Sequence, residues 1–484
     1  MLRPSRPTLA VLGLCCLLAG CGARLSEEQK QRVFASGNNG AIGGDGVVTG
    51  PGANPSAGPG VGPGATTGPG SGPGVVPGAT TGPGTGPGAT AGPGATTGPG
   101  APPPCTPTDS KERGVTKDSV TVANIADISG PVPGLFKSAQ DATKAFAAYY
   151  NATFGGVCGR QLKVKTYDSG TTSSGSRART LEACDQTFAS VGSISAFDDG
   201  GAPVEDRCGL PDISAAAVTR AHQASKVTYA AASTKAGQLS STVPRWIAEK
   251  FPEAVKNAGY LYINAGASAE NAPANIKAYE KYGHGWKFTY VKAVDIAASN
   301  YAPYVQEMKD KKIRFVQFLG AYQQAAKLAK AMKEQSFKPD IYLLDPTAYN
   351  REFAADGDHV NGTYVYLDSA LFEEARTNAE MQLYLTWLRR VAGNAQPTYF
   401  GLHAWSAARL FVTIATKLGP NLTRKGMLAE LPKVQKWNSN GLVSPQNVGA
   451  KQTSNCFGFI QLKGTAWTRA YPSRDWACGP LVSG

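Results

Sequence analysis

The chain has 484 residues, of which 42% are hydrophobic and 17% charged, and its formal net charge is +13 at pH 7. This length exceeds what one small hydrophobic core requires and predicts two folded domains beside any unstructured segments. The basic residues are scattered and form no stripe, which argues against a nucleic-acid-binding protein and favours a solvated surface beside an anionic cell envelope.

Residues 1–20 predict a signal peptide. Arg3 and Arg6 precede an apolar run at residues 9–18 that is too short to span a bilayer. Two small residues then precede Cys21, and this order resembles the processing box of bacterial lipoproteins, in which the cysteine receives a lipid and becomes the first mature residue. Cys21 is therefore the expected lipidation site and membrane anchor. The alternative is an ordinary secretory signal with an incidental cysteine.

A low-complexity segment separates this anchor from the rest of the chain. Residues 37–104 consist almost entirely of Gly, Pro, Ala, Thr, Val and Ser, with GPGATTGPG and its variants recurring. Such a composition buries too little apolar surface to fold, which predicts a disordered tether. Glycine does not recur strictly at every third position, so a collagen helix is excluded. Residues 21–36 are expected to form a short membrane-proximal segment.

Six cysteines fall in the remaining part, and an even number in an exported chain favours disulfides. They are Cys105, Cys158, Cys184, Cys208, Cys456 and Cys478. The last two flank a predicted C-terminal hairpin and are expected to pair, the middle two lie on consecutive predicted helices, and the first two then remain for each other. A zinc site has little support because no CxxC occurs and the four histidines are isolated, so we expect no metal and no other cofactor.

Strand and helix patterns alternate along the globular part. Strand patterns at residues 119–129, 161–169, 193–197 and 210–216, separated by helical patterns, predict a parallel sheet with helices on both faces. The alternation restarts with a helix at residue 246, includes a helix at 275–283 and ends with a strand at 340–346. The predicted fold class is therefore α/β, with two doubly wound parallel-sheet lobes. Ligands of such folds bind at the carboxyl ends of the strands.

The order of these motifs resembles type I periplasmic binding proteins, specifically the branched-chain amino-acid and amide group that feeds ABC importers. The likeness rests on Ile128-Ser129-Gly130-Pro131 before a helix, on NATFGGVCGRQLKVKTYDSG and on NYAPYVQEMKDKKIRFVQFLG, and it covers residues 115–471. It implies a two-lobed clamp whose chain crosses between the lobes three times. Lobe 1 would comprise residues 105–233 and 368–455, and lobe 2 residues 234–367 and 456–484.

The resemblance also implies which loops contact the ligand. Transferred position by position, the expected contacts are Ser129, Phe136, Phe197, Asp198, Ala217 and Thr219 from lobe 1, and Ser268, Tyr322, Thr347 and Tyr349 from lobe 2. In amino-acid binders the positions of Ala217 and Thr219 would hold the ligand carboxylate.

The chain departs from the amino-acid binders in two of these loops. Thr347 stands after Pro346, where an acid commonly pairs the ligand ammonium, and Asp345 could compensate only if the loop were shifted. Ser268 lies between alanines, without the usual aromatic neighbour. Because a buried ammonium without a charged partner is costly, we expect a neutral or anionic, partly apolar solute in preference to leucine, isoleucine or valine.

The sequence thus predicts a monomeric lipoprotein on the outer side of a bacterial cell membrane that hands a small solute to an ABC permease and binds no nucleic acid. An enzyme is not expected, because the globular part contains no GxSxG, P-loop, HExxH or EF-hand pattern. Two alternatives remain open. One is a ligand-sensing receptor domain with a separate signalling partner. The less favoured one is a surface enzyme in which Asp198, Glu270 and Asp345 supply paired carboxylates.

Overall fold

The structure, a computed structural model, describes residues 105–484. The predicted signal peptide, Cys21, the membrane-proximal segment and the tether lie outside the described residues and stay predictions. Among residues 105–484, no helix is both long enough and apolar enough to cross a membrane.

Lobe 1 is built on a sheet of four parallel strands. These strands are β1 (Ser119–Ala126), β2 (Gln161–Asp168), β3 (Ala189–Val191) and β4 (Asp212–Ile213). Their order in the sheet is β2-β1-β3-β4. The helices that follow them are α1 (Lys137–Phe154), α2 (Ser173–Gln186), α3 (Ala202–Cys208) and α4 (Arg220–Ala224). Their ends follow local sequence: the Thr172 hydroxyl caps α2, and Gly155 ends α1 in the left-handed conformation.

Lobe 2 contains the larger sheet and a separate pair of strands. The pair consists of β5 (Gln238–Ser240) and β14 (Leu481–Ser483). The sheet contains β6 (Ala258–Ile263), β7 (Phe288–Val294), β8 (Phe315–Leu319), β9 (Ile341–Leu344), β10 (Tyr364–Leu367), β11 (Cys456–Lys463), β12 (Ala466–Tyr471) and β13 (Ala477–Cys478). Its order is β12-β11-β10-β9-β8-β6-β7, with β13 beside β11. Strands β6 to β10 pair in parallel, and β11 joins them antiparallel.

The remaining helices are divided between the lobes. Those of lobe 2 are α5 (Thr242–Lys250), α6 (Gly266–Tyr282), α7 (Ala302–Asp310), α8 (Tyr322–Glu334) and α9 (Arg351–Ala354). Those that return to lobe 1 are α10 (Ala379–Val391), α11 (Tyr399–Leu418) and α12 (Arg424–Glu430). The core of lobe 1 accordingly draws on residues 115–232 and 370–448, and its centre is the edge-to-face pair of Phe146 and Trp405 with ring centroids 4.8 Å apart.

Three crossing segments connect the lobes, and hydrogen bonds hold them together. The Ser233 amide donates to Oε1 of Gln446 over 2.9 Å, and Nε2 of Gln446 donates to Oδ2 of Asp368 over 2.8 Å. The Ser454 amide donates to the Ser233 carbonyl over 3.1 Å. All these groups are buried, so the hinge is a satisfied polar network rather than three independent linkers.

Two strands of lobe 1 differ from the prediction: β3 (Ala189–Val191) precedes the segment predicted as a strand, and β4 is shorter than predicted. The predicted strand at residues 193–197 is a loop, because Gly192 adopts a φ of +69° directly after β3 and turns the chain toward the cleft. Only Ile194 keeps a single bridge, to Ala126. The predicted strand at 210–216 is reduced to β4. In lobe 2, the helix predicted at residues 275–283 begins much earlier, at Gly266.

All six cysteines are paired as the sequence context indicated. The bonds join Cys105 to Cys158, Cys184 to Cys208 and Cys456 to Cys478. The first closes a loop of 53 residues and ties the segment before β1 to the connection between α1 and β2, whereas the third staples β13 to β11.

We expect the double variant Cys105→Ser, Cys158→Ser to lose about 4 kcal/mol of unfolding free energy, because this bond closes the longest of the three loops in the chain-entropy account of disulfides. Guanidinium unfolding of the oxidised protein and the variant measures the difference. The matched control is the double variant Cys184→Ser, Cys208→Ser, whose shorter loop should give a loss of about 3 kcal/mol. Equal unfolding midpoints for all three proteins would contradict the expectation.

Candidate ligand-binding site

A cavity of about 260 Å³ lies between the two lobes, at the carboxyl ends of both parallel sheets. A cavity of this size suits a small-molecule ligand. Its lobe 1 wall is mainly apolar and includes Val132, Leu135, Phe136, Ala196, Phe197 and Val218. Lobe 2 adds apolar strand ends and the polar side chains of Ser268, Asn271, Asn275 and Thr347.

Four of the ten contacts expected from the sequence line this cavity. Phe136 and Phe197 contribute to the lobe 1 wall, and Ser268 and Thr347 to the lobe 2 wall. Phe136 is held by an edge-to-face contact with Phe400, whose ring centroid is 5.2 Å away. The Thr347 hydroxyl donates to the Gly320 carbonyl over 3.0 Å, which leaves its oxygen free only as an acceptor.

The other four lobe 1 positions lie outside the cavity lining. Ser129 is exposed, and its amide donates to Asp168 over 3.1 Å. Asp198 and Thr219 are buried and bonded to each other through the Thr219 amide over 3.0 Å and through its hydroxyl. Ala217 is buried, and its carbonyl accepts from Gln223 over 3.0 Å. These groups hold the loops that form the wall.

The two expected tyrosines of lobe 2 are also placed away from the cavity lining. The Tyr322 hydroxyl donates to Glu352. Tyr349 is 1% exposed, stacks on Phe372 with centroids 4.7 Å apart and donates its hydroxyl to Glu373 over 2.7 Å. Both rings therefore pack within the protein, and the structure brings neither to the solute space.

Asp345 lines the cavity. The sequence predicted this position for Asp345 only if the loop after β9 were shifted. Its Oδ1 accepts from the Thr347 amide over 2.7 Å and caps the short 3-10 turn that follows β9. Burial raises the pKa of Asp345 to about 6, although the hydrogen bonds to Thr347 oppose the rise. The loop thus has an acid at the cavity, one residue before the proline rather than after it.

The sequence did not predict that residues at and after the hinge form part of the cavity wall. Asp368 and Phe400 line the cavity from the second crossing and from the start of α11. Burial would raise the pKa of Asp368, but His403 and hydrogen bonds from Tyr399 and Gln446 hold it below its ordinary value. Phe400 contacts Phe136, which lies 264 positions earlier in the chain, so no local pattern could have identified this part of the wall.

The first turns of α6 connect lobe 2 directly to lobe 1. The Ala267 amide donates to the Ala196 carbonyl, and Nδ2 of Asn271 donates to the Val218 carbonyl, each over 2.8 Å. In the other direction, the Arg220 amide donates to Glu270 over 2.8 Å. These three bonds join the lobes across the cleft.

A buried acid–base cluster lies behind the lobe 1 wall, and we call it the His222 cluster. It consists of His222, Asp198, Glu205 and Asp212, all at most 5% exposed. Nδ1 of His222 is 2.8 Å from Asp198, and Nε2 is 3.2 Å from Glu205 and 2.9 Å from Asp212. Three of these side chains offer atoms close enough to surround a metal ion. The same atoms already bond to one another, which accounts for the cluster without an ion.

The fold matches solved solute-binding proteins over most of their length. A fatty acid ABC transporter substrate-binding protein from Thermomonospora curvata has a TM-score of 0.63 at 17% identity, with 75% of this chain and 94% of that chain covered. A solute-binding protein of an ABC transporter from R. palustris in complex with 4-hydroxybenzoate has a TM-score of 0.63 at 15% identity, covering 75% and 98%.

A third neighbour is the branched-chain amino acid transporter substrate-binding protein LivJ from Streptococcus pneumoniae in complex with isoleucine, with a TM-score of 0.62 at 15% identity and 73% and 100% covered. At these identities the likeness shows the fold alone. The three neighbours are solute-binding proteins and not enzymes. A search of curated proteins gave no match.

The sequence itself matches a family profile described as "Periplasmic binding protein" over residues 119–466, which is more than half of the chain and spans both lobes. Membership implies a location outside the cytoplasm and agrees with the two parallel-sheet lobes and the cleft between them. The chain belongs to the periplasmic binding protein family, with the type I fold.

Proposed function

We propose that this protein captures a small, largely apolar and uncharged solute between its lobes and delivers it to an ABC importer. The observation that carries the proposal is the cavity between the lobes, whose lobe 1 wall is formed mainly by aliphatic and aromatic side chains. Apolar lining with few convergent polar groups is typical of small-molecule sites, and burial of an apolar solute supplies the driving force. The neighbours that bind fatty acids, 4-hydroxybenzoate and isoleucine make delivery to a permease the natural role.

The charges around the cavity argue against a simple amino acid. A zwitterion needs a partner for each of its charges when water is excluded. Asp345 offers an acceptor for an ammonium, but the Thr219 amide and hydroxyl, expected to hold the carboxylate, are bonded to Asp198. An anionic solute would meet the carboxylates of Asp345 and Asp368 and lack the same donors, and Lys235, a lysine of the lining, is exposed to solvent. The sequence predicted a neutral or anionic solute, and of these two we propose the neutral one.

Native mass spectrometry of protein purified without refolding tests the ligand class, since a tightly held solute co-purifies. We expect a neutral, mostly apolar molecule, and its readdition should stabilise the protein by about 2.7 kcal/mol at a hundredfold excess over its dissociation constant. Calorimetry that found micromolar binding of leucine, isoleucine or valine would contradict the proposed specificity.

Replacing Phe197 with alanine is expected to weaken binding of that solute by roughly tenfold or more, because a large apolar surface against the solute is lost. Isothermal calorimetry measures the change. Phe337→Ala is the matched control, since Phe337 is half-buried in lobe 2 and does not line the cavity. Equal affinity of both variants would show that the solute does not occupy this cavity.

We further propose that Cys21 carries the lipid that keeps the protein at the membrane. Support comes from the small residues before Cys21 and from the long Gly/Pro-rich segment that would let the lobes reach a permease. Cys21→Ser is expected to release the protein from membranes or to block its maturation, measured by fractionation and intact mass. Cys16→Ser, within the same predicted signal, is the control and should stay anchored. A fully processed, membrane-bound Cys21→Ser variant would contradict the anchor.

A further inference from the structure

Asp198 lies at the junction of the two lobe 1 loops that form the cavity wall. It follows Phe197, which lines the cavity, and begins the 3-10 turn Asp198–Gly200. Its carboxylate accepts from the Val218 amide over 2.8 Å, from the Thr219 amide over 3.0 Å and from the Thr219 hydroxyl. Nδ1 of His222 is 2.8 Å away. With 5% exposure, Asp198 is a buried carboxylate whose oxygens are fully engaged.

One donor that Asp198 engages belongs to the wall residue Val218, and the other two belong to Thr219, which is buried directly behind that wall. Val218 lines the cavity, and its amide and that of Thr219 are consecutive along the chain. Two adjacent backbone amides and a hydroxyl that converge on one point form a receptor for an oxyanion. In this protein the point is occupied by a side chain of the protein, so none of the three donors is left for a solute in the cavity.

We propose that Asp198 determines the specificity of the cleft: its carboxylate fills an oxyanion receptor in the lobe 1 wall and thereby excludes carboxylate-bearing solutes. The inference rests on the proposed function, because it assumes that the cavity holds the solute. It assigns the polar end of the solute to lobe 2 and leaves lobe 1 to recognise an apolar surface. A ligand with a free carboxylate therefore finds none of these three hydrogen-bond donors on the lobe 1 side of the cleft.

The inference predicts a gain of binding when Asp198 is shortened. Asp198→Ala empties the receptor, and His222 keeps its other two partners, because Glu205 and Asp212 are 3.2 and 2.9 Å from Nε2. It also removes one of three carboxylates that share a single imidazole. Asp198→Ser, which refills part of the space with a hydroxyl, is a second variant with the same expected result.

Asp199→Ala is the matched control. The Asp199 carboxylate accepts from the Ser173 hydroxyl over 2.9 Å and makes no contact with Val218 or Thr219, so its loss should leave the receptor occupied. Asp198→Asn is a control for volume, because an amide of nearly the same size still fills the site.

The probes are sodium acetate and sodium benzoate, with sodium chloride at the same ionic strength, added to the full-length protein in calorimetry and thermal unfolding. We expect Asp198→Ala and Asp198→Ser to bind acetate and benzoate roughly tenfold or more tighter than the wild-type protein, because the three donors become available. The Asp199→Ala and Asp198→Asn variants should behave like the wild type, and chloride should have no effect on any of them.

Folded Asp198→Ala and Asp198→Ser variants that gain no affinity for either probe would overturn the inference, as would wild-type protein that binds benzoate as tightly as the variants. If neither variant folds, Asp198 is a residue of the core and the inference is equally overturned. The proposed function has a separate failure, namely wild-type protein that neither co-purifies with nor binds a neutral apolar solute. The two results are read from different proteins and are thus distinguishable.

Discussion

Replacing Gly266 with alanine is expected to prevent closure of the lobes and to weaken solute binding about a hundredfold, equivalent to about 2.7 kcal/mol. Gly266 begins α6 with a φ of +50°, and a Cβ added there would lie 2.4 Å from the Ala196 carbonyl oxygen of the opposite lobe. That carbonyl accepts the Ala267 amide over 2.8 Å, so neither the backbone of α6 nor that of the loop can retreat without breaking the cross-lobe bond.

The other end of the same helix supplies the control. Gly283 also has a positive φ, of +84°, but a Cβ added there would meet nothing within 4 Å. Gly283→Ala therefore carries the backbone strain without the clash and should keep its affinity. Small-angle scattering should show Gly266→Ala more expanded than Gly283→Ala in the presence of the co-purified solute, and calorimetry should show the difference in affinity. Identical scattering and affinity for the two variants would contradict closure through this contact.

Much of the fold could be predicted because its signals are local. Alternating apolar residues identify β2, and apolar residues at three- and four-residue spacing identify the buried face of α1, which includes Ala139, Ala142 and Phe146. The disulfide pairs followed from the placement of cysteines on neighbouring elements. The sequence did not predict that β3 ends before Gly192. A glycine with positive φ looks the same in the sequence as a glycine inside an extended strand.

The candidate site was less predictable, because its wall depends on which tertiary partner each loop residue finds. Phe197 and Asp198 are adjacent in sequence, yet one faces the cavity and the other is withdrawn to the Val218–Thr219 segment. Tyr349 carries the aromatic ring expected of a ligand contact, but Phe372 and Glu373 engage it. Such partners are distant in sequence, and the type of residue alone does not distinguish a ligand contact from a buried support.

The His222 cluster supports the same wall electrostatically. Asp198 holds Val218 and Thr219, and His222 on α4 connects Asp198 to Glu205 on α3 and to Asp212 on β4. One imidazole therefore faces three buried carboxylates. Burial alone would lower the pKa of His222, but the charges of Asp198 and Glu205 raise it well above its ordinary value. Burial and the neighbouring charge of Asp212 raise the pKa of Glu205 to about 7.

Both shifts have the same sign and predict stability that falls with rising pH. A group whose pKa is raised in the folded protein stabilises it fully below its unfolded value and ceases to do so as pH rises through the folded value. For Glu205 this window runs from its ordinary value of 4.5 to about 7, and for His222 it begins at 6.5 and extends above it. The wild-type protein should therefore unfold more easily at pH 8 than at pH 5, and Glu205→Gln should reduce that difference.

Replacing His222 with alanine is expected to cost about 3–5 kcal/mol, because it leaves three buried carboxylates without the imidazole that contacts all of them. The loss should be larger at pH 5 than at pH 8, because the raised pKa of His222 gives its full stabilisation only below 6.5 and that contribution shrinks as pH rises. His359→Ala, which removes the 3.1 Å contact to the half-exposed Asp356 on the surface, is the matched control and should change little. Guanidinium unfolding of both variants at the two pH values decides the matter: equal, small losses for His222 and His359 would show that the cluster does not support the wall of the cleft.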